Sequence, residues 1–286
     1  MISNHPTPTL ASPELAEITL SQEHPMAKFC WYLYLPIGLV LGLVRVLLLL
    51  LVFAMTSIWK GIGNQLTNHA ILAILGVRIT YDRRPGELLK DLAGSIGAVN
   101  HVSVYDILIG LNLPNTTLLL AAPREKIPYL IIRKIIDHMP GTSWDLYDKR
   151  QLVRNFQAWT QTRSSHPIFV VPEKTINNGK GLFAFQSDFL HKAPQVVPLA
   201  LRIWIPFGLH PHASYLSYAG RLLRLLALPI VHLSATALPP RKQQVGQSNE
   251  AFARQIQEDI AAYLGIPATR WTHVDKRMFM QRRRVP

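Results

Sequence analysis

Hydrophobic and polar positions divide the chain sharply near its start. Met1 to Ala27 is polar and proline-bearing, and Phe29 to Trp59 is almost wholly apolar. The first stretch has no basic segment ahead of a short apolar core, which argues against a cleavable secretory signal, and residues 1–28 are expected as a loose arm. The second is interrupted only by Arg45 and by Pro36, Gly38 and Gly42, with Lys28 ahead of it and Lys60 behind it. A straight spanning helix takes about 20 apolar residues. This stretch is too long for one crossing with an arginine near its middle, and too short for two. The expectation is a membrane hairpin over residues 29–60, bent at Pro36 or the glycines, with Trp31, Tyr32, Tyr34 and Trp59 near the interface. A buried core helix is the alternative, disfavoured because core helices seldom run this long without a polar face. Arg45 either snorkels to headgroups near the hairpin tip or pairs inside the protein.

Beyond the anchor, short apolar runs alternate with helical stretches. Strands are expected at Val77–Tyr81, Ile96–Val99, Thr117–Ala121, Pro167–Val171 and Val196–Ile203, and helices at Tyr105–Leu113, Ile127–Asp137 and Lys149–Thr160. Such alternation predicts an α/β fold, a sheet flanked by helices. The run Leu216–Ile230 suits an interfacial helix and plain core equally. Ser248 is placed to cap a helix over Asn249–Leu264, where Phe252, Ile256, Ile260 and Tyr263 share a face. Lys276, Arg277, Arg282, Arg283 and Arg284 read as a basic tail, a solvated end or a contact for anionic headgroups.

Composition narrows the function classes. A length of 286 residues suits one large domain plus an anchor. Charged residues make up 16% of the chain against 49% apolar ones, so part of the apolar surface is expected to meet lipid. Lys and Arg number 30 and Asp and Glu 17, which attracts phosphates. The basic residues are dispersed and carry no nucleic-acid motif, so no nucleic-acid partner is expected. Cys30 stands alone, which excludes an intrachain disulfide and a multi-cysteine metal site and fits a reducing, cytosol-facing domain.

Two segments carry candidate chemistry. In Asn100-His101-Val102-Ser103-Val104-Tyr105-Asp106, His101 and Asp106 are five apart and would diverge on one helix. They meet if His101 lies in the turn after Ile96–Val99 and Asp106 in the next helix's first turn, with Ser103 as N-cap. There a neutral His101 takes a proton from a hydroxyl and Asp106 fixes its tautomer. The same residues also suit a helix-capping carboxylate beside a turn histidine. About seventy residues later a strand runs into Pro172-Glu173-Lys174-Thr175-Ile176-Asn177-Asn178-Gly179-Lys180-Gly181-Leu182. Lys174 and Lys180 offer charge for phosphate, and Gly179 and Gly181 permit close backbone approach.

Together, in this order, the two segments resemble the glycerolipid acyltransferase family, whose members pair Asn-His-x4-Asp with a later Pro-Glu-Gly-Thr. The form Pro-Glu-x-Thr-x-x-Asn-Gly, followed by Leu182 and Phe185, is more similar to the lysophospholipid branch, and Val196-Val197-Pro198 matches a further block. A second block is placed around Tyr147-Asp148-Lys149-Arg150, and the resemblance covers roughly Phe29 to Arg284. It implies an acyltransferase-like domain over residues 61–246, a mixed sheet flanked by helices, followed by a C-terminal helix and tail over 247–286.

It further implies transfer from acyl-CoA, a co-substrate and not a bound cofactor, to a lysophospholipid-like hydroxyl, with no metal. His101 and Asp106 are the implied catalytic pair, and Glu173, Lys174, Thr175, Asn178, Gly179, Lys180 and Arg150 the implied substrate contacts. The expected setting is the cytosolic face of the endoplasmic reticulum and the lipid-droplet monolayer, with quality-control proteins as further partners. Lys174 stands where the motif has glycine, which keeps open a scaffold that binds lipid and protein without turnover. No ubiquitin-binding CUE domain follows Pro286 in this sequence, so ubiquitin binding is not carried over.

Overall fold

The computed structural model describes residues 12–58, 64–106, 108–109, 113, 116–120, 141–145, 148–161 and 166–283. Its centre is β2 (Ile96–Val99), whose four residues are all buried, as expected of a strand covered on both faces. A Cβ on Gly97 would come within 2.7 Å of the Phe169 ring, so glycine there lets the neighbouring strand close in. The other strands are β1 (Val77–Tyr81), β3 (Thr116–Leu120), β4 (Gly141–Asp145), β5 (Ile168–Val170), β6 (Val196–Trp204) and β7 (Val231–Ala237). They form one seven-stranded sheet in the order β1-β7-β6-β2-β5-β3-β4. Neighbours run parallel except β6 and β7, so the sheet is mixed. The strands β4 and β7 were not expected from sequence. Residues 231–237 do alternate buried with half-buried positions, the pattern of a strand with one covered face.

Helices cover both faces. On one side lie α2 (Pro25–Ile58), α3 (Asn64–Leu75), α4 (Pro85–Leu92) and α6 (Tyr218–Ala227), through Leu49, Leu75, Leu88 and Leu225. On the other lie α5 (Lys149–Gln161) and α7 (Asn249–Leu264), through Phe156, Trp159, Phe252 and Ile256. Ser248 caps α7 as expected, its hydroxyl accepting from the Ala251 N–H. A third cluster joins α1 (Pro13–Thr19) to α8 (His273–Arg282) through Leu15, Ile18, Phe183, Trp271 and Phe279.

Three expectations are corrected. From Ser12 onward the arm is not loose: α1 buries Leu15 and Ile18. The apolar stretch is not a hairpin but one unbroken helix of 34 residues with Pro36 inside it. The glycines act as contacts and not hinges, since a Cβ on Gly38 would come within 2.9 Å of the Ala227 carbonyl of α6. Arg45 pairs inside the protein, donating to the carbonyls of Leu226 at 2.7 Å, Pro229 at 2.9 Å and Leu228 beyond the end of α6. Those carbonyls lack helical partners and carry the negative end of the helix dipole. The opposite side of α2, including Phe29, Leu33, Ile37, Val40 and Leu47, is exposed and apolar. Over Pro25–Thr56 the helix is long and apolar enough to cross a membrane, with mean hydropathy 2.8.

The basic tail is in part α8, closed by a capping box between Thr272 and Asp275. The run Leu216–Ile230 contains α6, mostly packed inward, with Leu223 and, beyond the helix, Ile230 exposed. The expected helix Ile127–Asp137 lies outside the described residues, as does part of Tyr105–Leu113.

Candidate functional site

The chain leaves β2 at Asn100, whose side-chain amide pairs with the backbone of Leu201 on β6 through bonds of 2.7 and 3.0 Å. That amide extends the pairing of β2 with β6 by one residue and holds the start of the turn. His101 follows, and its Nδ1 lies 2.9 Å from Asp106 Oδ2. The same oxygen accepts from the N–H groups of Val102 at 2.7 Å and Ser103 at 3.0 Å. With Asp106 accepting from Nδ1, the imidazole carries its proton on that nitrogen. Nε2 of His101 is then a bare acceptor on a side chain 21% exposed, whereas Asp106 is 1% exposed. The turn thus serves both readings of its sequence: Asp106 caps the local backbone and orients the imidazole.

Glu173 faces inward. It is fully buried, and its carboxyl accepts from the N–H groups of His101 at 2.7 Å and Phe183 at 2.8 Å and from Asn177 Nδ2 at 2.9 and 3.0 Å. Burial raises this carboxyl, to about 8 after the opposing pull of the donors of His101, Asn177 and Phe183 and of the nearby charge of Lys276. Because each oxygen already receives hydrogens and none of these partners accepts one, the geometry favours the ionised form. The Asn177 N–H donates to the His101 carbonyl at 2.7 Å. Glu173 and Asn177 therefore grip the His101 peptide from both sides, as positioning residues.

The other expected contacts separate. Lys174 adopts φ of 54°, the left-handed conformation in which the motif's glycine is at ease, and its ammonium pairs with Asp188 at the surface. Asn178 is buried and turned toward α1, donating to the carbonyls of Glu17 and Leu20. Gly179 takes φ of 82°, and its N–H donates to Asn177 Oδ1 at 2.7 Å. Thr175 is half-buried and Lys180 exposed. Arg150 is exposed on the first turn of α5, after the edge strand β4. With β5 and β3 lying between them, β4 is about 14 Å across the sheet from β2, the strand that leads into His101. Asp148 of the same block accepts from the Gln151 N–H, as a helix cap does.

Three residues near His101 were not singled out as site residues from sequence. His212 is buried, and Lys276 and Arg221 are half-buried. Lys276 donates to the Ile176 carbonyl and lies 5.4 Å above the Phe183 ring. Its ammonium is lowered to about 7, by burial first and then by Arg221, against the pull of Glu173. His212 is lowered to about 2 by burial and then by Lys276, Arg221, His101 and His210, so it is neutral. The Thr-x-x-Asp cap ahead of Lys276 was the one sequence signal that this basic stretch is helical. Next door, between α2 and α6, opens a groove of about 700 Å³ lined by Trp31, Leu35, Leu39, Leu223 and Arg224 among others. His101 does not line it; Leu209, Tyr215 and Leu216, which flank the stretch carrying His210 and His212, do.

No family model matches the chain. It is 23% identical over 197 residues to glycerol-3-phosphate acyltransferase 4 of Bos taurus, covering 68% of this chain and 42% of that protein. The solved 1-acyl-sn-glycerophosphate (LPA) acyltransferase PlsC of Thermotoga maritima superposes with a TM-score of 0.47 at 18% identity, over 78% of this chain and 96% of that one. Stronger similarity runs to the lipid droplet-regulating VLDL assembly factor AUP1. The identity is 28% over 261 residues with the Rattus norvegicus protein and 27% over 257 with that of Homo sapiens, each covering 89% of this chain. The chain spans about 60% of the length of those two relatives. The chain is thus similar over most of its length to AUP1, and over about two thirds of it to an acyltransferase.

Proposed function

We propose that this protein is a membrane-attached O-acyltransferase that moves an acyl group from acyl-CoA to the hydroxyl of a lysophospholipid-like acceptor. The observation that carries the reading is the 2.9 Å contact of His101 Nδ1 with a buried Asp106, which leaves Nε2 bare and accessible. Nε2 takes the hydroxyl proton as the oxygen attacks the thioester carbonyl. The C–O bond forms, the C–S bond breaks, and the imidazolium returns its proton to the departing thiolate. Asp106 steadies the imidazolium, and Glu173 and Asn177 hold the peptide that carries it. The apolar face of α2 supports work at a lipid surface, on the cytosolic side of the endoplasmic reticulum and on lipid droplets. Lys174, turned to Asp188, is compatible with turnover.

The full chain in neutral detergent, given radiolabelled acyl-CoA and lysophospholipid, should form diacyl product. His101→Ala should lower the rate by about 10²–10⁴-fold, the usual contribution of a positioned base. Equal rates for the two proteins would remove the reading. The likeness to AUP1 supports a second one, regulation of lipid droplets by a scaffold without turnover. It predicts normal droplet recruitment and droplet phenotype for His101→Ala in cells.

A further inference from the structure

Residues Ser12–His24 have no part in the transfer chemistry, yet they fasten the loop that grips His101. The carbonyls of Glu17 and Leu20, at the end of α1, both accept from Asn178 Nδ2, the second at 2.9 Å. Asn178 is buried and follows Asn177, whose N–H donates to the His101 carbonyl at 2.7 Å. Leu15 and Ile18 pack with Phe183, whose own N–H donates to Glu173 at 2.8 Å. A Cβ on Gly181 would come within 2.7 Å of the Ile18 side chain, so glycine there lets α1 lie against the loop. Glu14 accepts from Trp271 Nε1 at 3.1 Å, which ties the start of α1 to the stretch before α8.

After α1 the chain crosses to the segment between β6 and α6. The Ser21 N–H donates to the Ser214 hydroxyl at 3.0 Å, and the Ser21 hydroxyl donates to the His212 carbonyl. Glu23 accepts from the His210 N–H at 3.3 Å and from Arg224 of α6 at 2.7 Å. Pro25 then opens α2. Two features make this attachment reversible. A helix of seven residues is too short to persist unaided, so α1 forms only when docked. Glu23 and Arg224 are both buried, and their separation returns two charges to water, recovering hydration lost on burial. Docking is therefore an order–disorder transition with a local stability of its own. Undocking takes both acceptors from Asn178 Nδ2 and uncovers Phe183, beside the groups that grip the His101 peptide.

We propose that Ser12–His24 is a releasable strap. Docked, it orders the loop from Glu173 to Phe183 and with it the His101 peptide; released, it lets both loosen. The proposal rests on the acyl-transfer reading only for the effect on rate.

Hydrogen exchange read by mass spectrometry, on the full chain in neutral detergent, tests the strap without turnover. In the wild-type chain the amides of α1 and those of Asn177 to Phe183 should open together, and more readily than β2 and β6. Ile18→Asp should raise exchange across 176–183 by about tenfold or more, a usual size for coupling between two places, and leave the sheet protected. It should lower kcat by about the same factor with KM unchanged, since what is lost is the placement of His101 and not a substrate contact. Ile18→Val keeps the apolar contact and should behave as wild type. Loop protection indifferent to Ile18→Asp overturns the proposal. So does a wild-type loop that opens only together with the sheet, a result that stands even where Ile18→Asp unfolds the whole chain. Joint opening of α1 and the loop without any His101-dependent transfer sinks the acyl-transfer reading and leaves the strap standing.

Discussion

The turn after β2 and the seam between α2 and α6 both bury a charge among backbone groups, with opposite results. At the seam, Arg45 meets three carbonyls that a helix end leaves bare, and Gly76 gives it room: a Cβ there would lie 2.1 Å from Nη2. Both Nη atoms donate into the fold, and Arg45 is 4% exposed. At the turn, Asp106 also meets three donors, but one of them is an imidazole whose far nitrogen faces outward. The first arrangement welds an apolar helix to a domain. The second transmits a buried charge to an accessible atom, which is what proton transfer needs.

The sharpest way to break that comparison is at Asp106. Asp106→Asn should lower acyl transfer by about 10²–10⁴-fold with little change in stability, because an amide no longer steadies an imidazolium. A rate near wild type would reduce Asp106 to a helix cap. Glu173→Ala should act on fold and rate together. Leaving the His101, Phe183 and Asn177 donors buried and unpaired should cost about 4 kcal/mol in denaturant titration. At the seam, Arg45→Met or Gly76→Ala should each cost about 3 kcal/mol, by stranding carbonyls or displacing the guanidinium. Either variant that still folds should keep its His101-dependent transfer. The smallest effect has the opposite sign: Lys174→Gly should stabilise by about 1 kcal/mol, since it relieves a left-handed φ and gives up only an exposed ion pair. A loss of stability there would mean that the Asp188 pair matters more than the strain.

Much of this was legible from local pattern. The helix Asn249–Leu264 and its Ser248 cap follow from periodicity and capping, and Val77–Tyr81 and Ile96–Val99 match as strands. The contact of His101 with Asp106 follows from strand-turn-helix geometry within six residues. What misled was equally specific. Pro36, Gly38 and Gly42 suggested a bend, yet the helix tolerates the proline and uses the glycines to approach α6. Gly141–Asp145, with Thr and Ser and one Trp, carries too little apolar pattern to announce an edge strand. What the sequence did not show is that Glu173 and Asn178, polar residues in a glycine-rich loop, hold that loop to His101 and to α1.

By itself the sequence determined what short-range physics controls: strand and helix periods, caps, the apolar length of α2 and the proximity of His101 to Asp106. Tertiary structure alone decided the partners of buried polar groups. Arg45 met residues 226–229, Glu173 met His101, and Lys276 met Ile176 across 100 positions. A buried donor or acceptor must be satisfied, but the sequence does not say by which of many equivalent backbone groups. That choice is made only when the sheet and its helices close around it.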